Sequence, residues 1–171
     1  TINGEATVVT PDVAATNGVI HVIDRVLLPP KKLGDIVAVA SEAGSFTTLL
    51  AAAKAAGLVE ALQAPGPYTV FAPTDAAFAT LLKRLKTTPA KLLADPVRLA
   101  AILKYHVVSG RVASTDLGKR TVAPTLQGRS VVVRKSSTGV TVNKTAKVVK
   151  ADIPASNGVI HVINRVLIPR S

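Results

Sequence analysis

The side chains of this 171-residue chain that could move a proton near neutral pH are three histidines, His21, His106 and His161. Cysteine is absent, which excludes thiol catalysis, disulfides and thiolate metal sites. A hydroxyl nucleophile would need a histidine and a carboxylate beside it. Ser109, Ser114 and Ser130 instead fall in turn-like stretches with no strand-to-helix elbow around them. Paired-carboxylate chemistry has little to draw on, because residues 104–171 hold only Asp116 and Asp152 as acids. Gly128-Arg129-Ser130 reads as a turn rather than a phosphate loop. Asp75, at the start of an apolar-periodic run, reads as a helix cap. Asn143-Lys144-Thr145 is a glycosylation sequon. Catalysis is thereby set aside, and no cofactor or metal is called for. What remains is binding.

The binding signal is charge. The net charge is +11, unevenly spread. Residues 1–30 set Arg25 against Glu5, Asp12 and Asp24, a net of −2, so residues 31–171 carry +13. Such a field favours an anionic polysaccharide or an acidic protein surface. Specific nucleic-acid binding lacks its usual apparatus. Tyr68, Tyr105, Phe46, Phe71 and Phe78 are the only aromatics, and no basic helix or metal finger is present. Arg129, Arg134, Lys135, Lys144, Lys147 and Lys150 alternate with apolar residues, a pattern that would lay some of them along one strand face as a basic stripe. No apolar run reaches the roughly 20 residues of a membrane span.

The chain also repeats itself. Residues 1–31 recur at 141–171, offset by 140, with 18 identities. Both copies contain Asn-Gly-Val-Ile-His-Val-Ile, at 17–23 and 157–163. Asn-Gly marks a tight turn, and the alternating Val and Ile mark two strands of a larger sheet. A segment of this size cannot bury its own apolar face. Residues 1–30 therefore read as the end of a preceding unit, and 31–171 as a complete one. The surplus strands need a surface to dock on, in their own chain or in a neighbour.

Helices come first in the complete unit and strands second. Helical periodicity runs over 33–43, 45–57 (with Ser45 as its cap), 58–62, the stretch after Thr74-Asp75, and the segments opened by Thr88-Pro89 and Asp95-Pro96. Residues 68–73 form a short buried strand. After His106 the period becomes two, over 107–112, 125–137, 139–143, 146–153 and 158–168. This is an α+β fold, with helices covering part of an antiparallel sandwich or barrel.

Those motifs resemble a known family. YTVFAPTDAAF at 68–78 is similar to the first conserved box of the fasciclin (FAS1) domain, Tyr105-His106 to its Tyr-His motif, and NGVIHVINRVLIP at 157–169 to its second box, repeated at 17–29. The resemblance implies a β-sandwich with a helical edge layer, here preceded by an extra N-terminal strand pair. It implies a non-enzymatic, secreted or cell-surface role in adhesion or matrix structure, with proteins, glycans or, in some members, carotenoids as ligands. The family's Glu-Pro-Asp-Ile-Met adhesion motif is replaced here by Lys150-Ala151-Asp152-Ile153-Pro154, so integrin binding does not carry over. The motif link makes Tyr105 and His106 the leading binding candidates. His21 and His161, within strands, read first as hydrogen-bonded structural groups and second as ligand contacts. The expected function is an adhesive or structural module that self-associates head to tail through residues 1–30. The alternatives are a carrier of a small apolar ligand and a binder of anionic glycans.

Overall fold

A computed structural model describes residues 6–26 and 33–169, in two compact units, residues 1–32 and 33–171. Glu5 and residues 27–30 of the repeated segment lie outside the described residues.

The first unit is an antiparallel hairpin of β1 (Val8–Ala15) and β2 (Gly18–Ile23). Its register shifts twice, with Asp12 left-handed at φ 54°. The amide of Thr7 donates to Asp24 Oδ1 at 2.7 Å and closes the open end. Among the described residues β2 pairs with β1 alone, and its Val19, Ile20 and Val22 side chains stay exposed.

The second unit opens with α1 (Ile36–Glu42), α2 (Thr47–Ala55) and α3 (Val59–Gln63). Strand β3 (Tyr68–Pro73) is followed by α4 (Asp75–Leu85), α5 (Pro89–Leu93) and α6 (Pro96–Tyr105). Strands β4 (Val107–Ser109), β5 (Thr121–Pro124), β6 (Ser130–Ser136), β7 (Gly139–Val142), β8 (Ala146–Ala155) and β9 (Gly158–Ile163) complete it. The seven strands run in the order β4-β3-β9-β8-β7-β6-β5. A bridge from Val108 to Thr125 and a 2.8 Å bond from the Leu126 amide to the Val107 carbonyl join the ends of that order, so the sheet curls back on itself. The expected α+β sandwich with a helical edge and an extra strand pair is what forms.

Few aromatics are available, and each phenylalanine anchors a different apolar cluster. Phe71 sits among the strand valines Val131, Val133 and Val142. Phe46 packs between α1 and the other face of β3 and β9, and Phe78 among α2, α4 and α6.

Helix capping departs from expectation at Ser45. The N-cap of α2 is Phe46, which offers no side-chain bond. The cap comes from Asp75 at the start of α4. Its carboxylate accepts from Thr48 N at 2.8 Å, Thr47 Oγ1 at 2.8 Å and Thr47 N at 3.3 Å. Thr74 caps α4 itself, through Ala77 N. Partial burial would raise the pKa of Asp75, but the bonds from Thr48 and Thr47 outweigh it and hold it below the usual carboxylate value. Asp75→Ala leaves the first turn of α2 without its acceptor. We expect a loss of about 1 kcal/mol, read as a lower urea midpoint at unchanged slope.

Candidate functional site

Strand β9 shows what the repeated sequence does when it has neighbours. It lies between β8, antiparallel, and β3, parallel, with Tyr68 opposite Gly158 and Pro73 opposite Ile163. The hairpin turn is Ser156-Asn157 and Gly158 is the first strand residue, so the expected Asn-Gly turn sits one residue earlier. Asn157 faces inward. Its Oδ1 accepts from Ile36 N at 3.0 Å, and its Nδ2 donates to Leu62 O at 2.8 Å and Ala64 O at 3.0 Å. A Cβ on Gly158 would collide with the Tyr68 carbonyl, so glycine serves here to let β3 approach. His161 Nδ1 accepts from Asp152 N at 3.2 Å, which places the ring proton on Nε2, donated to Val112 O at 2.8 Å. The ring stacks on Phe71 at 5.6 Å.

The first unit repeats this geometry without the neighbours. The same paired positions, the same two register shifts and the same left-handed aspartate recur 140 residues earlier. His21 Nδ1 accepts from Asp12 N at 3.2 Å, as His161 does from Asp152. Yet Ile20 is 55% exposed where Ile160 is 1% exposed, and Gly18 faces open space.

The Tyr-His motif divides between two places. His106 closes α6 and is buried. Its Nε2 accepts from Leu167 N at 2.8 Å, so Nδ1 carries the proton toward Ile102 O at 2.8 Å. Desolvation pulls its pKa down to about 4, with the Ile102 bond opposing, and the ring is neutral at physiological pH. It borders an apolar cavity of about 70 Å3 against α1, α2 and β9. Tyr105 points the other way. Asn143 Nδ2 donates to its hydroxyl at 2.9 Å, and that hydroxyl donates to Ser130 O at 3.4 Å. Asn143 Oδ1 accepts from Val132 N at 2.9 Å, so the sequon asparagine is bonded inward through both side-chain atoms.

Above Tyr105 and Asn143 lies an open groove of about 1200 Å3. Six cations line it: Arg84 from α4, Arg120 before β5, Arg129 just before β6, Arg134 within β6, Lys144 from the β7–β8 turn and Arg165 after β9. Among the described residues none that lines it is acidic, and Leu81, Val132, Val166 and Ile168 supply apolar walls. Asn143 and Lys144 are both left-handed, at φ 51° and 60°, and together make the tight turn that holds Lys144 at the rim. The expected stripe is thus partly assembled. Arg129, Arg134 and Lys144 share the groove, whereas Lys135, Lys147 and Lys150 lie outside it. Neighbours on a strand face opposite sides, so Arg134 and Lys135 cannot share a stripe. Lys135 Nζ instead donates to Ser114 O at 3.0 Å. Arg84, Arg120 and Arg165 join the groove from outside that basic strand stretch.

The chain matches the fasciclin domain family over two stretches, residues 1–29 and 44–169. It is 47% identical over 135 residues to protein sll1483 of Synechocystis sp., covering 78% of this chain and 73% of that one. It is 42% identical over 152 residues to the transforming growth factor-beta-induced protein ig-h3 of Sus scrofa, covering 89% of this chain but 21% of that one. A solved FAS1 domain pair from the insect cell adhesion molecule fasciclin I matches with a TM-score of 0.71 at 23% identity, covering 96% of this chain and 60% of that one. At that identity the likeness is one of fold. By family match and by fold, the chain belongs to the fasciclin domain family.

Proposed function

We propose that the chain is a non-enzymatic adhesion or matrix module of the extracellular space, secreted or held at a cell surface. In this reading residues 1–30 are the C-terminal strand segment of a preceding fasciclin unit, residues 31–171 are a complete unit, and the hairpin joins units head to tail. One observation carries it. Gly-Val-Ile-His-Val-Ile is wholly buried as β9 and largely exposed as β2, with the hairpin geometry otherwise conserved between the copies. Further support comes from the fold shared with an insect cell adhesion molecule. No helix among the described residues is long and apolar enough to cross a membrane.

The edge chemistry agrees. β1 carries Pro11 and a bulge, devices that discourage pairing, whereas β2 has neither. The natural complement of β2 is a strand like Tyr68–Pro73 of another fasciclin unit, taken up in parallel by main-chain hydrogen bonds. Burying the half-exposed Val19, Ile20 and Val22 contributes roughly 1 kcal/mol each. In a copy of this chain β9 already fills that slot. Self-joining therefore exchanges one hairpin for another, and is slow and concentration-dependent. The opposite charges of the two segments steer the encounter more than they hold it. The carrier alternative gains no support from the apolar cavity, which falls far below the roughly 300–1,000 Å3 typical of ligand pockets.

Gly18→Ala tests the joining. The added methyl meets nothing within 4 Å in the hairpin, but would block a β3-type strand in the way a Cβ on Gly158 would. After long incubation at rising concentration, sedimentation should show larger species for the parent chain and fewer for the variant. Two monomers at every concentration would remove self-joining from the reading.

A further inference from the structure

We infer that the groove over Tyr105 and Asn143 is a binding site for an anionic polysaccharide, a chain bearing sulfate or carboxylate groups. This does not rest on the hairpin joining units. It gives the second unit a ligand of its own.

Six cations converge with no carboxylate among the described lining residues, so a ligand carrying several anionic groups is attracted by many of them at once. Five of the six are arginines. The planar guanidinium fork matches sulfate and carboxylate oxygens two at a time, which a lysine point charge does not. The cations come from α4, the β5 approach, β6, the β7–β8 turn and the segment after β9. They thus stand around an open groove from five parts of the fold, which suits a ligand with charges at intervals. The volume of about 1200 Å3 and the open form likewise suit a chain laid along the groove rather than an enclosed small molecule. Apolar walls at Val132, Val166 and Ile168 offer surface for the C–H faces of sugar rings and strengthen the field at the cations.

Nucleic acid fits less well. Tyr105 is the one aromatic among the described lining residues, the residue is 6% exposed and its hydroxyl is engaged, so no stacking platform faces the groove. Tyr105 is a positioning residue here. With Asn143 it ties α6 to β6 and β7 beneath the cations. The backbone at Arg129 is pinned separately, its carbonyl accepting from Thr125 N at 3.1 Å and Thr125 Oγ1 at 2.5 Å. The floor is therefore held before any ligand arrives.

The test uses the full chain at physiological salt, titrated with four probes: a heparin-derived octasaccharide, a galacturonate oligomer of equal length, a neutral dextran oligomer, and single-stranded DNA of matched charge. Arg84→Glu, Arg120→Glu and Arg165→Glu combined should weaken binding of the sulfated or uronate chain by about a hundredfold or more, since each reversal removes a charge-assisted contact. Lys54→Glu, Lys91→Glu and Lys150→Glu combined make the same change in net charge outside the groove and should weaken it by less than about threefold. Matching urea midpoints would show that both variants stay folded. Preference between the octasaccharide and the galacturonate identifies the anion held. Equal losses in the two triple variants, dextran binding as tightly as the charged glycans, or DNA binding as tightly with the same groove dependence, would overturn the assignment.

Discussion

Gly158→Ala is expected to cost this protein about 3 kcal/mol or more, while Gly18→Ala, the same change in the same sequence context, leaves stability of the second unit untouched. An ideal Cβ at 158 would overlap the Tyr68 carbonyl oxygen and stand 2.9 Å from its carbon and 3.0 Å from Ile36 Cδ1. A carbonyl within a strand ladder cannot rotate away. Relief requires β3 and β9 to separate at the end where Tyr68 N also donates to Asn157 O at 3.0 Å. That junction holds β3, β4 and α1 against the hairpin, so the strain spreads into the Phe46 cluster. At Gly18 nothing lies within 4 Å. Urea unfolding of the two single variants is the measurement. Equal midpoints would mean that the parallel β3–β9 contact is not as close as described.

That glycine also marks where sequence reading succeeds and where it stops. The repeat is legible because identity at a constant offset needs no structural theory, and it leads directly to one hairpin sequence in two settings. Asn157-Gly158 is misplaced by one residue because Asn-Gly has two physical uses, positive φ in a turn and room for a neighbouring backbone. Only the second applies here, and it depends on a strand about 90 positions earlier in the chain. YTVFAP is legible as a buried strand because it is short, apolar and ended by Pro73. The strand Thr121–Pro124 is not, since Val122 is exposed and Pro124 closes it, leaving almost no alternation to read. The α2 cap is hidden for a different reason: Ser45 is the local candidate, but the acceptor comes from Asp75, 28 residues away from Thr47. The groove is the extreme case. Arg129, Arg134 and Lys144 belong to a visible basic stretch, whereas Arg84 sits on a helix whose polar face looks solvated and Arg165 follows β9, four places from β5 in the sheet order. Charge composition announces a polyanion partner; only the closure of the sheet brings these particular cations together.

Acid should weaken the fold through His106 before it reaches any carboxylate. The ring is neutral and buried, and desolvation outweighs the Ile102 bond to set its pKa at about 4, against 6.5 for the free side chain. The unfolded chain therefore takes up a proton as pH falls through 6.5, and the folded chain does not until about 4. Stability from this group is fully present above 6.5 and is lost progressively down to about 4, a total of roughly 3 kcal/mol. Asp75 and Asp152 act in a lower window. Burial would raise the pKa of each. Hydrogen bonds from Thr48 and Thr47 hold Asp75 below 3.8, and bonds from Ser114 with the charge of Arg111 do the same for Asp152. Their contributions are present above 3.8 and fall away only beneath it. Urea midpoints measured from pH 7 to pH 4.5 should therefore decline in the parent chain. In His106→Gln, which can still accept from Leu167 N and donate toward Ile102 O, the starting midpoint should be lower and this decline absent. A parent profile flat over that range, or a decline that survives the substitution, would mean that the buried imidazole is not held neutral between Ile102 and Leu167.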